Sequence, residues 1–171
     1  MKYLALLLSI AAIGLSGAAL MLTHGVASPA SEPAGSKVTA AYSPGLGDLM
    51  TAGVQPRHAK LWLAGSVENW PLAAYELDEL EEALADVVHY QPRWEGMAIE
   101  DMVKSLTDEP IKSARVAIKA KDRMRFATAY ERLTTACNAC HQASGRAFIA
   151  VTAPDRSSFP DQVFAPAQGA E

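Results

Sequence analysis

Residues 122–141, DRMRFATAYERLTTACNACH, carry two patterns at once. Phe126, Tyr130, Leu133, Cys137 and Cys140 recur at alternating steps of four and three, the spacing of a helix that packs one face against a core. Asp122 stands where an N-cap is wanted, and no helix breaker interrupts the run. At about 100° per residue, Cys137, Cys140 and His141 fall within an arc of roughly 100° on that same seam. One helical face thus offers two thiols and an imidazole to a single flat ligand.

Cys-x-x-Cys-His is the spacing of c-type haem attachment: the thiols form thioethers with the vinyl groups, and the histidine takes an axial iron position. Three other readings compete. A thiol redox pair normally opens a helix after a strand, whereas this pair lies several turns into its helix. A structural zinc site wants a second pair of ligands, and the chain has only these two cysteines. A disulfide across two intervening helical residues is strained. The spacing favours covalent haem.

The beginning of the chain reads as a targeting segment. After Lys2, residues 3–23 are almost wholly apolar or small, and Val26 and Ala27 precede Ser28 in a plausible cleavage site, so residues 1–27 read as a signal peptide. The stretch also approaches the ~20 residues that span a bilayer, which keeps a retained N-terminal membrane anchor in view. Without residues 1–27 the chain keeps 14 basic and 19 acidic residues, a net charge of −5. Such a balance argues against nucleic acid as a partner. Residues 28–45, rich in Ala, Ser, Pro and Gly, read as a flexible linker, and as a coil would reach about 25 Å.

Residues 46–145 then read as four helices. The first runs from Leu46 to about Gly65, with a kink or restart expected at Pro56. The second opens on an Asn69 cap with Pro71 and carries the stripe Trp70, Ala73, Leu77, Leu80, Leu84 and Val87; its acidic flank, Glu76 included, reads as solvated. After a loop containing Arg93 and Trp94, a third helical region begins near Met97. It is expected to restart at Thr107-Asp108-Glu109-Pro110 and to end near Lys121. Asp122 opens the fourth. No strand is expected, the short run Phe148 to Val151 being too weak a signal. In the tail, 146–171, the apolar residues Phe148, Ile149, Val151, Phe159 and Phe164 imply packing as far as about Phe164. Short connections make this an all-α, up-down-up-down four-helix bundle.

An Asp-capped last helix with aromatic seam positions, ending in Cys-x-x-Cys-His on a four-helix chain, resembles the class II c-type cytochromes: cytochrome c′ and its low-spin relatives. The likeness is good from Lys121 to His141 and in helix order. It is weak elsewhere: the chain continues 30 residues past His141, and the run Arg57 to Gly65 followed by Asn69-Trp70 is foreign to the pattern, so a divergent branch is implied. The resemblance implies one covalent haem c near the C-terminal end of helix four, attached outside the cytoplasm, in keeping with the leader and with a bacterial periplasmic address. It also implies frequent dimerisation through the first two helices.

In such a bundle the end of helix four lies beside the start of helix one, at the level of Leu49 to Gly53. Met50 is therefore the candidate distal iron ligand, as a methionine near the start of helix one is in the low-spin relatives. His58, about 12 Å further along, is a weaker alternative, ahead of Met97, Met102 and His89. Arg93 and Arg146 are candidate haem propionate partners, because guanidinium matches carboxylate. Trp94 is a candidate haem-edge aromatic.

Two functions follow. With His141 and Met50 on the iron, the protein is a one-electron carrier serving redox partner proteins. With the sixth position empty it is a five-coordinate haem protein binding NO or CO. A haem-free thiol redox protein is the remaining alternative. No hydrolase motif or phosphate loop is present, so an enzyme is not expected.

Overall fold

The computed structural model describes residues 42–167; the leader expected over residues 1–27 lies outside them, as does most of the 28–45 linker. The described chain is all-α apart from one tiny hairpin. Helix α1 (Leu46–Leu49) passes without a break through a π turn (Met50–Val54) into α2 (Gln55–Ser66). Then come α3 (Trp70–Tyr90), strands β1 (Arg93–Trp94) and β2 (Met97–Ala98), α4 (Ile99–Lys119) and α5 (Arg123–Ala143). Among the described residues no helix is long and apolar enough to cross a membrane.

Pro56 does not break the first helix. Met50–Val54, just ahead of it, adopt the wider π register, in which the Gln55 amide bonds to the Met50 carbonyl, and the helix passes the proline ring by widening. The restart expected at residues 107–110 is likewise absent, since α4 is continuous through Pro110. The Thr107 hydroxyl donates to the Val103 carbonyl (2.8 Å) within the same helix instead of capping a new one. Ile99, Ile111, Ala114, Ala117 and Ile118 are buried along α4, and their packing outweighs the bond that Pro110 cannot make.

The caps on α3 and α5 form as their sequences require. Asn69 Oδ1 accepts from the Leu72 amide (3.4 Å), and Asp122 Oδ1 from the Arg125 amide (3.0 Å). All six residues of the α3 stripe are buried. Glu76, expected in solvent, is buried as well at 1 % exposure. Arg57 of α2 reaches it (3.4 Å) and Glu79 (2.9 Å), so the carboxylate sits inside with a cation beside it.

Residues in the left-handed region make the tight turns. Glu68 (φ 63) ends α2, with the Asn69 amide on the Ala64 carbonyl; Lys121 (φ 53) ends α4, with the Asp122 amide on the Ala117 carbonyl. Glu95 (φ 46) and Gly96 (φ 84) close the β1–β2 hairpin, which the sequence did not announce. Residues 148–151 form no strand.

Helix α2 packs on α3, α3 on α4 and α4 on α5, and α2 also meets α5. Phe126 and Tyr130 of α5 are fully buried in the centre. Trp62 lies tilted against Tyr130 at 4.9 Å, and Trp70 meets the Phe126 ring edge-on at 6.1 Å. Gly65 lets α2 approach Phe126: a Cβ there would lie 2.2 Å from the ring. The tail folds back over this core. Lys60 Nζ lies over the Phe159 ring (4.8 Å), Phe164 is buried, and Asn69 Nδ2 donates to the Phe164 carbonyl (3.0 Å).

Candidate functional site

The last two turns of α5 carry Cys137, Cys140 and His141, all half-buried. Both cysteines are free thiols. Burial, reinforced by the neighbouring Cys140, pushes the Cys137 thiol up to about 11, and burial also raises Cys140. Neither is the lowered thiol that a dithiol redox pair needs to attack disulfides at neutral pH.

Four residues past His141, just beyond the end of the helix, stands Gly145, whose positive φ (71) lets the Arg146 amide turn back onto the His141 carbonyl (2.7 Å). That reversal returns the chain along its own helix end. The Ile149 carbonyl reaches His141 Nδ1 at 2.8 Å, and a carbonyl can only accept, so Nδ1 carries the proton. The other ring nitrogen, Nε2, is left with its lone pair and makes no hydrogen bond among the described residues. Two residues on, the side-chain amide of Asn138 donates to the Val151 carbonyl (2.9 Å) and accepts from the Val151 amide (2.8 Å). Asn138 lies between the two cysteines, so the Cys-x-x-Cys-His segment and the tail are fastened to each other directly.

His58, the weaker distal candidate, occupies a different environment. It is buried, and its ring stacks on Tyr130 at 4.6 Å. The Thr134 hydroxyl spends its proton on the Tyr130 carbonyl (2.9 Å), so His58 Nε2, 3.0 Å away, must donate to it. The single proton of the Tyr130 hydroxyl is then shared between His58 Nδ1 (3.0 Å) and the His58 carbonyl (3.1 Å). Both nitrogens are committed, and burial lowers the imidazole to about 4, which keeps it neutral. Burial, then the charge of Cys137, raises the Tyr130 phenol.

Met50 is half-buried against the hydrophobic core. Its π turn runs along α3, where a Cβ on Gly53 would lie 3.5 Å from Ala83, whereas the principal partners of α5 are α4 and α2. Of the two arginines, Arg93 is exposed and reaches only the Gly96 carbonyl of its own hairpin (3.4 Å). Arg146 stacks over Trp94 (4.6 Å) and faces Glu95 (3.6 Å), which ties the start of the tail to the β1–β2 hairpin. Trp94 is half-buried beneath that guanidinium. Phe148 and Ile149, beside His141 in the tail, are exposed at 80 % and 46 %.

The donor set fits a covalently held haem. Two protonated thiols three residues apart and one imidazole with its outer nitrogen free share a helix end, and Cys137, Cys140 and His141 are the residues that would hold the group. Among the described residues no three His, Cys, Asp or Glu side chains gather to hold a bare metal ion. Asn138 and the Ile149 carbonyl escaped the reading of the sequence, because an asparagine inside the motif gives no sign of its backbone partner. Neither a protein-family model, nor a curated protein, nor a solved structure matches the chain.

Proposed function

We propose that this chain is an exported c-type cytochrome, a divergent relative of the class II four-helix proteins, that carries one haem on Cys137, Cys140 and His141 and transfers single electrons between partner proteins. The pairwise packing of the helices and their tight turns support an up-down-up-down bundle with the motif at one end. The observation that carries the functional reading is the Nδ1 bond of His141 to the Ile149 carbonyl (2.8 Å), which leaves Nε2 as the ligand nitrogen and increases its basicity. When bound, the haem supplies an iron that changes charge by one unit. The chain's own residues do the rest. Cys137 and Cys140 tether the group, His141 presents a fixed imidazole, and the exposed Phe148 and Ile149 are apolar area next to the motif that a haem edge would cover. The reading includes export to the periplasm, with tethering to the inner membrane if residues 1–27 are retained.

A second reading, a five-coordinate haem protein that binds NO or CO, is favoured by two observations. Both nitrogens of His58 are occupied, and the π turn bearing Met50 packs along α3.

Expression in a host that matures c-type haem, followed by visible spectroscopy, tests both readings. A haem band that survives denaturing electrophoresis is the expected result, and a colourless chain at apoprotein mass refutes the proposal. A reduced protein whose Soret band ignores CO is the carrier, and Met50→Ala should then convert low-spin iron to high-spin. Ready CO binding by high-spin iron establishes the second reading instead.

A further inference from the structure

Resting on the haem reading of the site, we propose that Asn138 is a positioning residue that acts on His141 through the tail. Asn138 and His141 are three residues apart on α5 and therefore neighbours on its surface. Each holds one rung of the returning chain: Asn138 takes both backbone groups of Val151, and His141 takes the carbonyl of Ile149. Ile149 has no further anchor toward its C-terminal side until Val151. Its other tether, its own amide on the Arg146 carbonyl (2.8 Å), lies within the turn itself. The Asn138 clamp therefore sets the place of the Ile149 carbonyl, and that carbonyl sets the tautomer and ring orientation of His141. An asparagine side chain suits this work because its amide donates and accepts in one plane, as a neighbouring strand would. The dipeptide between the two cysteines has a task separate from spacing them.

The test compares the wild-type chain with Asn138→Ala and with Val151→Pro, which removes the Val151 amide hydrogen without touching α5. Three quantities are read: backbone amide exchange at Val151, the imidazole nitrogen shifts of His141, and the midpoint potential of the haem-loaded protein. In Asn138→Ala, which removes both bonds to Val151, exchange at Val151 should accelerate about tenfold or more. In both variants the potential should rise, because a ligand imidazole relieved of its carbonyl partner is less basic and favours the ferric ion less.

Faster exchange with an unchanged potential overturns the proposal, since the tail would then move without affecting His141. If the wild-type chain proves colourless, the haem reading falls and the clamp is judged on the nitrogen shifts alone. A change from a pure Nδ1–H imidazole to a tautomer mixture in the variants upholds it, and identical shifts overturn it. Should Asn138→Ala fail to fold, Val151→Pro decides by the potential and the nitrogen shifts.

Discussion

Gly65→Ala puts the contact between α2 and α5 to a quantitative test. The added Cβ would lie 2.2 Å from Cε1 and Cζ of Phe126 and 2.8 Å from Cε2, where ordinary contact begins near 3.4 Å. More than 1 Å of separation must therefore be found. The ring has nowhere to swing: Phe126 is fully buried, with Trp70, Trp62 and Tyr130 centred 6.1, 6.2 and 6.2 Å away. Overpacking of a closed core costs up to about 3 kcal/mol. Alanine's better helix propensity returns about 1 kcal/mol, leaving a net loss of about 2 kcal/mol. For a domain of this size that corresponds to a fall in Tm of about 8 °C, followed by far-UV circular dichroism of the protein as isolated. Phe126→Leu should relieve the clash, so the double variant should be more stable than the two single losses imply by about 1–2 kcal/mol. A Tm for Gly65→Ala within a degree of wild type, or strictly additive losses, would refute the reasoning.

Arg57→Ala leaves the Glu76 carboxylate buried without its cation, and chemical denaturation should register a loss of about 2–4 kcal/mol, much of it recovered in Arg57→Ala/Glu76→Gln. His58 titrates near 4 when folded against 6.5 when unfolded, so the unfolded chain binds its proton first. Stability is therefore lost as pH falls from about 6.5 to about 4, by up to about 1.4 kcal/mol per pH unit and about 3 kcal/mol in all. In His58→Asn the same titration of stability should be flatter by that amount over this window, and parallel curves would contradict it. Asn69→Ala removes both the cap on Leu72 and the hold on the Phe164 carbonyl. It should cost about 1–2 kcal/mol and make the segment after Val151 cleavable by added protease under conditions where wild type resists.

The helices were legible wherever a periodic apolar stripe met a good cap, as at Asn69 with the α3 seam and at Asp122 with the α5 seam. Local signals misled where packing overrode them. Pro56 and Pro110 are both absorbed into continuous helices, one by a widened register and the other by a buried stripe on either side. Glu76 was misplaced because a carboxylate on an acidic helix reads as surface; its partner Arg57 comes from another helix, and a one-dimensional pattern does not contain that pairing. The β1–β2 hairpin was missed because its turn is made by Glu95-Gly96, and a glutamate is not the residue expected at positive φ. At the candidate site the shared helix face of Cys137, Cys140 and His141 could be read from spacing alone. The supports of His141 could not, since they are backbone atoms of a tail without periodicity.

That tail has a bearing on how the domain is made. Phe164, which joins the core and is held by Asn69, follows in the chain every helix it packs against. Val151 and Ile149 likewise reach Asn138 and His141 only after α5 is complete. The protein is thus latched from outside by its last described segment, and a chain whose strap has undocked keeps its helices while Asn138 and His141 lose their partners.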